Sequence, residues 1–276
     1  MTSRRTHYVT TDDGVTVGAT VHGQGPPLVL LQGAVGDGDI DWNRVVEHLT
    51  GRFTCHLPSM RGRGLSSDHP DLSVRRQIDD SVTYIESIGE PVRLTGWSGG
   101  ATHALGAAAH SDAVTSLAPF EPGVLGLANP EEQAVIGNAL TRTGELAAEG
   151  DLTAAARAFL GFPFNDEEVA VADDIGYCEA AGRYVPKLLD LLRQVKEYGD
   201  PTADPALLGA ISAPVTVLLG SDTKRLFTAG ARHVADHVPD ARVQEIPGVG
   251  HAAPLTHPET LAAALAELFT SEHHPA

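Results

Sequence analysis

Apolar residues along this chain fall into segments of two alternating kinds. The uninterrupted apolar run at 28–31 is typical of a strand that is buried on both faces of a parallel sheet, and the largely apolar segment 215–219 predicts another strand. Segments 42–49 and 74–88 have the pattern of helices. Strands that alternate with helices predict an α/β fold with a mostly parallel, doubly wound sheet covered on both faces.

The start and the middle of the chain depart from this alternation. Residues 8–10 and 15–21 flank a glycine-containing turn and predict an antiparallel hairpin. From 125 to 210 the pattern indicates helices and no convincing strand. We therefore divide the chain into a first core part (1–124), an inserted helical cap (125–210) and a second core part (211–276). An insertion at the carboxyl ends of the strands would exclude water and shape a pocket.

Length and composition limit the class of protein further. A chain of 276 residues, 42% of them hydrophobic, can bury the core of one large domain, with or without an insertion. The formal net charge of −17 argues against nucleic acid and anionic membrane surfaces as partners. Two cysteines, Cys55 and Cys178, give no disulfide framework, and residues 1–7 hold no apolar leader. We expect a cytoplasmic protein that acts on a small molecule, and the sequence predicts no oligomeric state.

The clearest chemical signal is Gly96-x-Ser98-x-Gly100, which follows an apolar strand and precedes an Ala-rich helical segment at 101–109. Gly96 and Gly100 have no Cβ, so strand and helix can approach closely there. The tight turn would hold the Ser98 hydroxyl clear of its own backbone. The amides at the helix start, Gly99 first, would point to the place where an oxyanion forms.

Five features together resemble the α/β-hydrolase fold family. They are the Gly-rich loop at 32–38, the Arg-Gly-Arg-Gly-Leu-Ser turn at 61–66, the elbow at 96–100, the inserted helices and Gly248-x-Gly250-His251. The resemblance implies that Ser98 is a nucleophile and that His251 takes its proton and later delivers one to the leaving group. It also implies an oxyanion hole formed by the backbone N–H groups of Gly99 and Ala34. It implies neither a metal nor a cofactor.

The acid that would orient His251 has two candidates. Asp222 follows the 215–219 strand, where family acids usually lie, but it stands two residues after the glycine instead of three. Glu121 ends the preceding core strand in Phe-Glu-Pro-Gly, which resembles a Tyr-Glu-Pro-Pro turn of actinobacterial-type members. A glutamate at an otherwise apolar strand end also needs a partner. Both carboxylates therefore stay open.

Several other side chains are candidates for contact with a substrate. Family members usually carry His-Gly where this chain has Gln32-Gly33. Both residues are therefore candidates for contact with a substrate, and Gln32 is free to hydrogen-bond to substrate or to the cap. Trp97, in the variable position of the elbow, would line the pocket. In the cap the candidates are aromatic: Phe162, Phe164, Tyr177 and Tyr184. Together they predict a modest, mainly apolar pocket.

Other histidines are assigned to packing or to the surface. His103 follows the elbow on its helix, and we interpret it as a packing residue. His233 and His237 stand four apart on one helix, a spacing compatible with metal ligands, but no neighbouring sequence supports a metal there.

The leading hypothesis is a serine hydrolase that cleaves a carboxylic ester, thioester or lactone of a small, mainly apolar molecule through an acyl-enzyme on Ser98. A C–C bond hydrolase or a cofactorless perhydrolase would use the same triad. A non-hydrolytic cyclase or a ligand-binding protein on the same fold is the alternative from another class, because a fold alone does not fix function.

Overall fold

One eight-stranded sheet organises residues 4–271, the part of the chain that the computed structural model describes. The strands are β1 (Arg5–Thr10), β2 (Thr16–Gly23), β3 (Pro27–Leu31), β4 (Thr54–Pro58), β5 (Val92–Trp97), β6 (Val114–Phe120), β7 (Thr216–Gly220) and β8 (Arg242–Ile246). They lie in the order β1-β2-β4-β3-β5-β6-β7-β8. The β1–β2 and β2–β4 pairs are antiparallel, and the other neighbours are parallel. The predicted hairpin and mostly parallel sheet are confirmed.

Helices cover both faces of this sheet. In chain order the helices are α1 (Gly38–Val46), α2 (Val74–Ser87), α3 (Gly99–His110), α4 (Pro130–Ala148), α5 (Leu152–Leu160), α6 (Asp166–Asp174), α7 (Tyr177–Gly182), α8 (Val185–Tyr198), α9 (Pro205–Leu208), α10 (Arg225–His237), α11 (Ala253–Thr256) and α12 (Pro258–Ser271). Among residues 4–271, no helix is long and apolar enough to cross a membrane.

Side chains of the central strands pack into two separate hydrophobic cores, one on each face of the sheet. Successive side chains of a strand point to opposite faces, so Leu28 and Leu30 of β3 pack on one side, in the cluster that holds Trp42 of α1 and residues of α12. Val29 and Leu31 pack on the other side against α2, α3 and α10. All five β3 residues are buried, as expected for a strand covered on both faces.

Residues 125–210, all of them described, contain helices α4 to α9, two short 3₁₀ turns and no strand. Polar residues cap the starts of α4, α5 and α6: Asn129 and Asn165 form capping boxes with Glu132 and Glu168, and the Asp151 carboxylate accepts from Ala154 N. We call this segment the helical insertion. Its role as a cap, and the boundaries drawn at 124 and 210, stay predictions.

The helical insertion is tied to the core by polar contacts. The Tyr177 hydroxyl of α7 donates to Asp41 Oδ1 of α1 at 2.8 Å. The Gln194 Oε1 of α8 accepts from Leu72 N at 2.8 Å, just before α2. These contacts hold α7 against α1, and α8 against the segment that leads into α2.

Candidate active site

A strained turn between β5 and α3 presents Ser98. Its φ of 57° lies in the left-handed region, which costs energy for a residue with a side chain. A Cβ on Gly96 would lie 2.2 Å from Gly100 O, and one on Gly100 would lie 2.1 Å from Gln32 O. The motif therefore needs both glycines because β5, α3 and the end of β3 meet here with no room for a methyl group.

Glu121 and His251 form a buried pair beside this turn. The Nδ1 of His251 lies 2.7 Å from Glu121 Oε2, and the two residues are 2% and 0% exposed. Glu121 also accepts from Gly220 N at 2.8 Å and from the Thr223 hydroxyl at 2.7 Å. A carboxylate held by two further donors fixes Nδ1 as the protonated nitrogen, which leaves Nε2 to accept a proton.

The second candidate acid lies elsewhere. Asp222 is exposed, and its Oδ1 accepts from the neighbouring Ser221 hydroxyl at 2.9 Å. Its backbone N–H donates to Val249 O at 3.0 Å, so this residue joins the strand ends through its main chain. The structure brings Glu121 and not Asp222 to the imidazole of His251.

Aromatic rings enclose His251. Phe227 of α10 stacks on the imidazole with 3.6 Å between ring centroids and 12° between planes. Trp97 donates from Nε1 to His251 O at 2.8 Å and stacks on Phe164, with centroids 6.1 Å apart. The imidazole is thus held by ring packing and its loop by a hydrogen bond, in surroundings that keep water away from the pair with Glu121.

Two backbone amides adjoin Ser98 on the other side. A Cβ placed on Gly99 would lie 3.7 Å from Ala34 N, so the start of α3 and the Gly-rich loop are in contact. Within residues 4–271 neither the Ala34 nor the Gly99 N–H has a hydrogen-bond partner. Unpaired donors side by side at a helix start suit a developing negative charge.

Gln32 supports this loop and does not face a ligand. Its Oε1 accepts from Met60 N at 2.7 Å, and its Nε2 donates to Gly36 O. The side chain is 1% exposed and lies outside the cavity described next. Both ends of the carboxamide are occupied by backbone, so the expectation that Gln32 contacts substrate is not met.

One cavity joins these groups. Ser98, His251, Ala34 and Gly99 all line it. So do five of the substrate-contact candidates: Gly33, Trp97, Phe162, Phe164 and Tyr177. Tyr184 does not, because its hydroxyl donates to Asp37 Oδ2 at 2.7 Å at the edge of the core.

Asp41 is a buried carboxyl behind the loop. It accepts from Gly33 N at 2.7 Å and from the Tyr177 hydroxyl at 2.8 Å. Burial raises the pKa of Asp41 to about 7, although these two hydrogen bonds favour the ionised form. The same carboxyl therefore connects the oxyanion loop to the helical insertion.

Sequence reasoning missed three residues that position the pair. Phe227 and Thr223 follow β7 and are adjacent to His251 and Glu121 only in the folded chain. Glu168 accepts from Ala252 N at 2.8 Å, and a Cβ on Gly250 would lie 2.4 Å from its Oε1. The sequence marks Glu168 as a capping-box residue, a local role that hides its second contact.

The remaining histidine candidates bond to backbone. His233 Nε2 lies 3.2 Å from Thr202 O, and His237 Nδ1 lies 2.8 Å from His233 O. Across residues 4–271 no group of three or more His, Cys, Asp or Glu side chains is placed to hold a metal ion.

Comparison with known proteins identifies the family of this chain and two of its relatives. The model of the Alpha/beta hydrolase family matches residues 21–264, so the chain belongs to that family. It is 27% identical over 254 residues to the pimeloyl-[acyl-carrier protein] methyl ester esterase of Chromobacterium violaceum, covering 89% of this chain and 94% of that protein. It is 25% identical over 250 residues to the 2-hydroxy-6-oxo-6-(2'-aminophenyl)hexa-2,4-dienoic acid hydrolase of Metapseudomonas resinovorans, covering 87% and 82% of the two chains.

Comparison with solved structures gives the same family. An alpha/beta hydrolase from Sphaerobacter thermophilus superposes with a TM-score of 0.74 at 28% identity, over 95% of this chain and all of the other. The protein is an esterase-like hydrolase of the α/β-hydrolase fold.

Proposed function

We propose that this protein hydrolyses a carboxylic ester of a small, mainly apolar acid through an acyl-enzyme on Ser98. The observation that carries the proposal is that the strained Ser98 lines one cavity together with His251, whose imidazole is paired with the buried Glu121. Ser98 and Glu121 are two of only three non-glycine residues between 4 and 271 with positive φ. Such strain concentrates at functional sites.

In this mechanism His251 Nε2 takes the proton of the Ser98 hydroxyl while Oγ attacks the ester carbonyl carbon. The carbonyl oxygen becomes an oxyanion that accepts from the Gly99 and Ala34 N–H groups. The C–O bond to the alcohol breaks, and His251 gives its proton to the departing alkoxide oxygen. Water, deprotonated by His251, then attacks the acyl carbon, which releases the acid and restores Ser98.

The cavity supports an ester whose bulk lies in the acyl part. Its lining is mostly aliphatic and aromatic, so burying an apolar chain there is favourable. A methyl ester esterase among the relatives supports a small alcohol as leaving group. In this proposal the helical insertion acts as the cap, since Phe162, Phe164 and Tyr177 form one wall of the cavity.

The test is intact mass spectrometry after treatment with a fluorophosphonate. We expect one adduct on the wild type, none on Ser98→Ala, and an undiminished adduct on Ser221→Ala, which removes an exposed hydroxyl outside the cavity. An unlabelled wild type with a native thermal transition would contradict the proposal.

A substrate panel then separates the related chemistries. Methyl and ethyl esters of linear acids should be cleaved in preference to thioesters, lactones and a 2-hydroxy-6-oxo-dienoic acid. Turnover confined to the dienoic acid would favour a C–C bond hydrolase. Turnover that requires hydrogen peroxide would favour a perhydrolase.

A further inference from the structure

His103 is a buried side chain of the cavity that the mechanism does not use. It stands on α3, five residues after Ser98, and is 3% exposed. Within residues 4–271 neither of its ring nitrogens has a hydrogen-bond partner. In this part of the chain no fully buried side-chain nitrogen or oxygen lacks a partner, so the unpaired ring nitrogens of His103 are open to cavity space and are suited to a group that enters it.

Other polar side chains along the cavity wall, apart from the reacting Ser98 and His251, already have partners. The Thr102 hydroxyl donates to Gly99 O at 2.7 Å, and the Tyr177 hydroxyl is held by Asp41. Asp200 Oδ1 accepts from the backbone N–H and the hydroxyl of Thr202. Among residues 4–271, His103 is therefore the lining side chain, apart from Ser98, in which no nitrogen or oxygen has a partner, and Asp200 Oδ2 is a second unpaired atom of the lining.

The surroundings of His103 are apolar on the cavity side. Met60 lines the same cavity, and with His103 it separates this cavity from a smaller one bounded by Gln77 and Tyr84. Val74 of α2 and Leu191 of α8 complete the apolar lining of the main cavity. A single unpaired polar ring among such side chains selects for position, since only a ligand oxygen placed opposite it gains a hydrogen bond.

The protonation state of His103 narrows the ligand chemistry. Burial, with a smaller contribution from the positive charge of Arg63, lowers its pKa to about 3. The ring is neutral at working pH and offers one N–H donor and one nitrogen acceptor. It matches a hydroxyl or a carbonyl oxygen and offers no charge to a carboxylate.

We propose that His103 is a specificity-determining residue that binds a neutral oxygen substituent, hydroxyl or carbonyl, on the acyl chain of the ester. This inference rests on the proposed function. Five residues of helix correspond to about 7.5 Å along the axis of α3, so the recognised oxygen lies several carbons beyond the ester carbonyl.

The experiment compares kcat/KM for methyl octanoate with its mono-oxo and monohydroxy derivatives, the oxygen placed at each carbon from the fourth to the seventh. We expect the wild type to prefer one position roughly tenfold over the unsubstituted ester, the gain of one buried hydrogen bond. In His103→Leu this ratio should fall to about one, and His103→Gln, which keeps a donor and an acceptor, should restore part of it. The matched control is His110→Leu on the same helix, an exposed residue outside both cavities, which should leave the ratio unchanged.

Binding gives a second readout. In the Ser98→Ala background the Kd of the preferred oxygenated ester, measured by calorimetry, should rise with His103→Leu by the same factor as the kinetic ratio. The inference is overturned if the wild type shows no positional preference, or if His103→Leu and His103→Gln retain it. Cleavage of methyl octanoate together with a fluorophosphonate adduct would then leave the proposed function standing. Absence of both would remove the proposed function itself, and this inference with it.

Discussion

Replacing Glu121 by glutamine converts one acceptor of the buried pair into a donor at nearly constant volume. The carboxylate accepts from three groups: Gly220 N, the Thr223 hydroxyl and His251 Nδ1. A carboxamide has one acceptor oxygen, and the backbone N–H of Gly220 cannot move or reverse. The glutamine oxygen should therefore face Gly220, which places its NH₂ opposite His251 Nδ1. His251 would then keep its proton on Nε2 and could not take one from Ser98.

The size of the expected loss in kcat follows from the other orientation of the glutamine carboxamide. Turning the carboxamide round restores the productive tautomer, but it leaves two buried donors facing each other at Gly220, each costing about 1–3 kcal/mol. The productive form would thus be disfavoured by about 2–6 kcal/mol, a loss in kcat of roughly 30-fold to 10⁴-fold. A triad with the wrong tautomer loses activity on the order of 10⁴-fold, at the upper end of this range.

The assay is the steady-state hydrolysis of p-nitrophenyl butyrate, together with the rate of fluorophosphonate labelling and thermal unfolding of each variant. Asp222→Asn is the matched control, because its exposed carboxylate accepts from the Ser221 hydroxyl and is not bonded to His251, and we expect it to stay within about twofold of the wild type. A Glu121→Gln enzyme within about threefold of wild type, or an equal loss in Asp222→Asn, would refute the reasoning.

Two further predictions concern stability. A Cβ on Gly100 would meet Gln32 O at 2.1 Å, whereas one on Gly137, exposed in α4, meets nothing within 4 Å. We expect Gly100→Ala to lower the free energy of unfolding by about 1–3 kcal/mol or more, and Gly137→Ala to raise it by about 0.5–1 kcal/mol, as measured by urea denaturation; effects of the same sign would contradict the close approach at the elbow. Because the pKa of Asp41 is raised to about 7, the folded state keeps a proton that the unfolded state releases from about pH 4 upward. The free energy of unfolding should therefore fall with rising pH across this window, by up to about 1.4 kcal/mol per unit, and Asp41→Asn should remove that slope; parallel curves would disprove it.

The sequence predicted what depends on local pattern. Apolar runs located the buried strands, and the glycines around Ser98 located the tight turn, because a backbone clash at Gly96 or Gly100 depends on neighbours close in the chain. These elements could be placed without knowing the tertiary structure.

Long-range contacts decided the rest. The choice between Glu121 and Asp222 depends on where His251 lies, 130 residues beyond Glu121 in the chain. The role of Gln32 was misread for the same reason, since its partner Met60 comes from the loop after β4. Phe227 belongs to no sequence motif, and its contact with His251 is seen only once α10 is packed against the His251 loop.

Glu168 has a consequence for how the helical insertion and His251 are coupled. Its carboxylate serves two structures at once: Oε2 accepts from Asn165 N at the start of α6, and Oε1 accepts from Ala252 N, directly after His251. If α6 swung outward, the segment that carries the imidazole would lose its acceptor. The position of one helix of the insertion and the geometry needed for proton transfer thus depend on the same carboxylate.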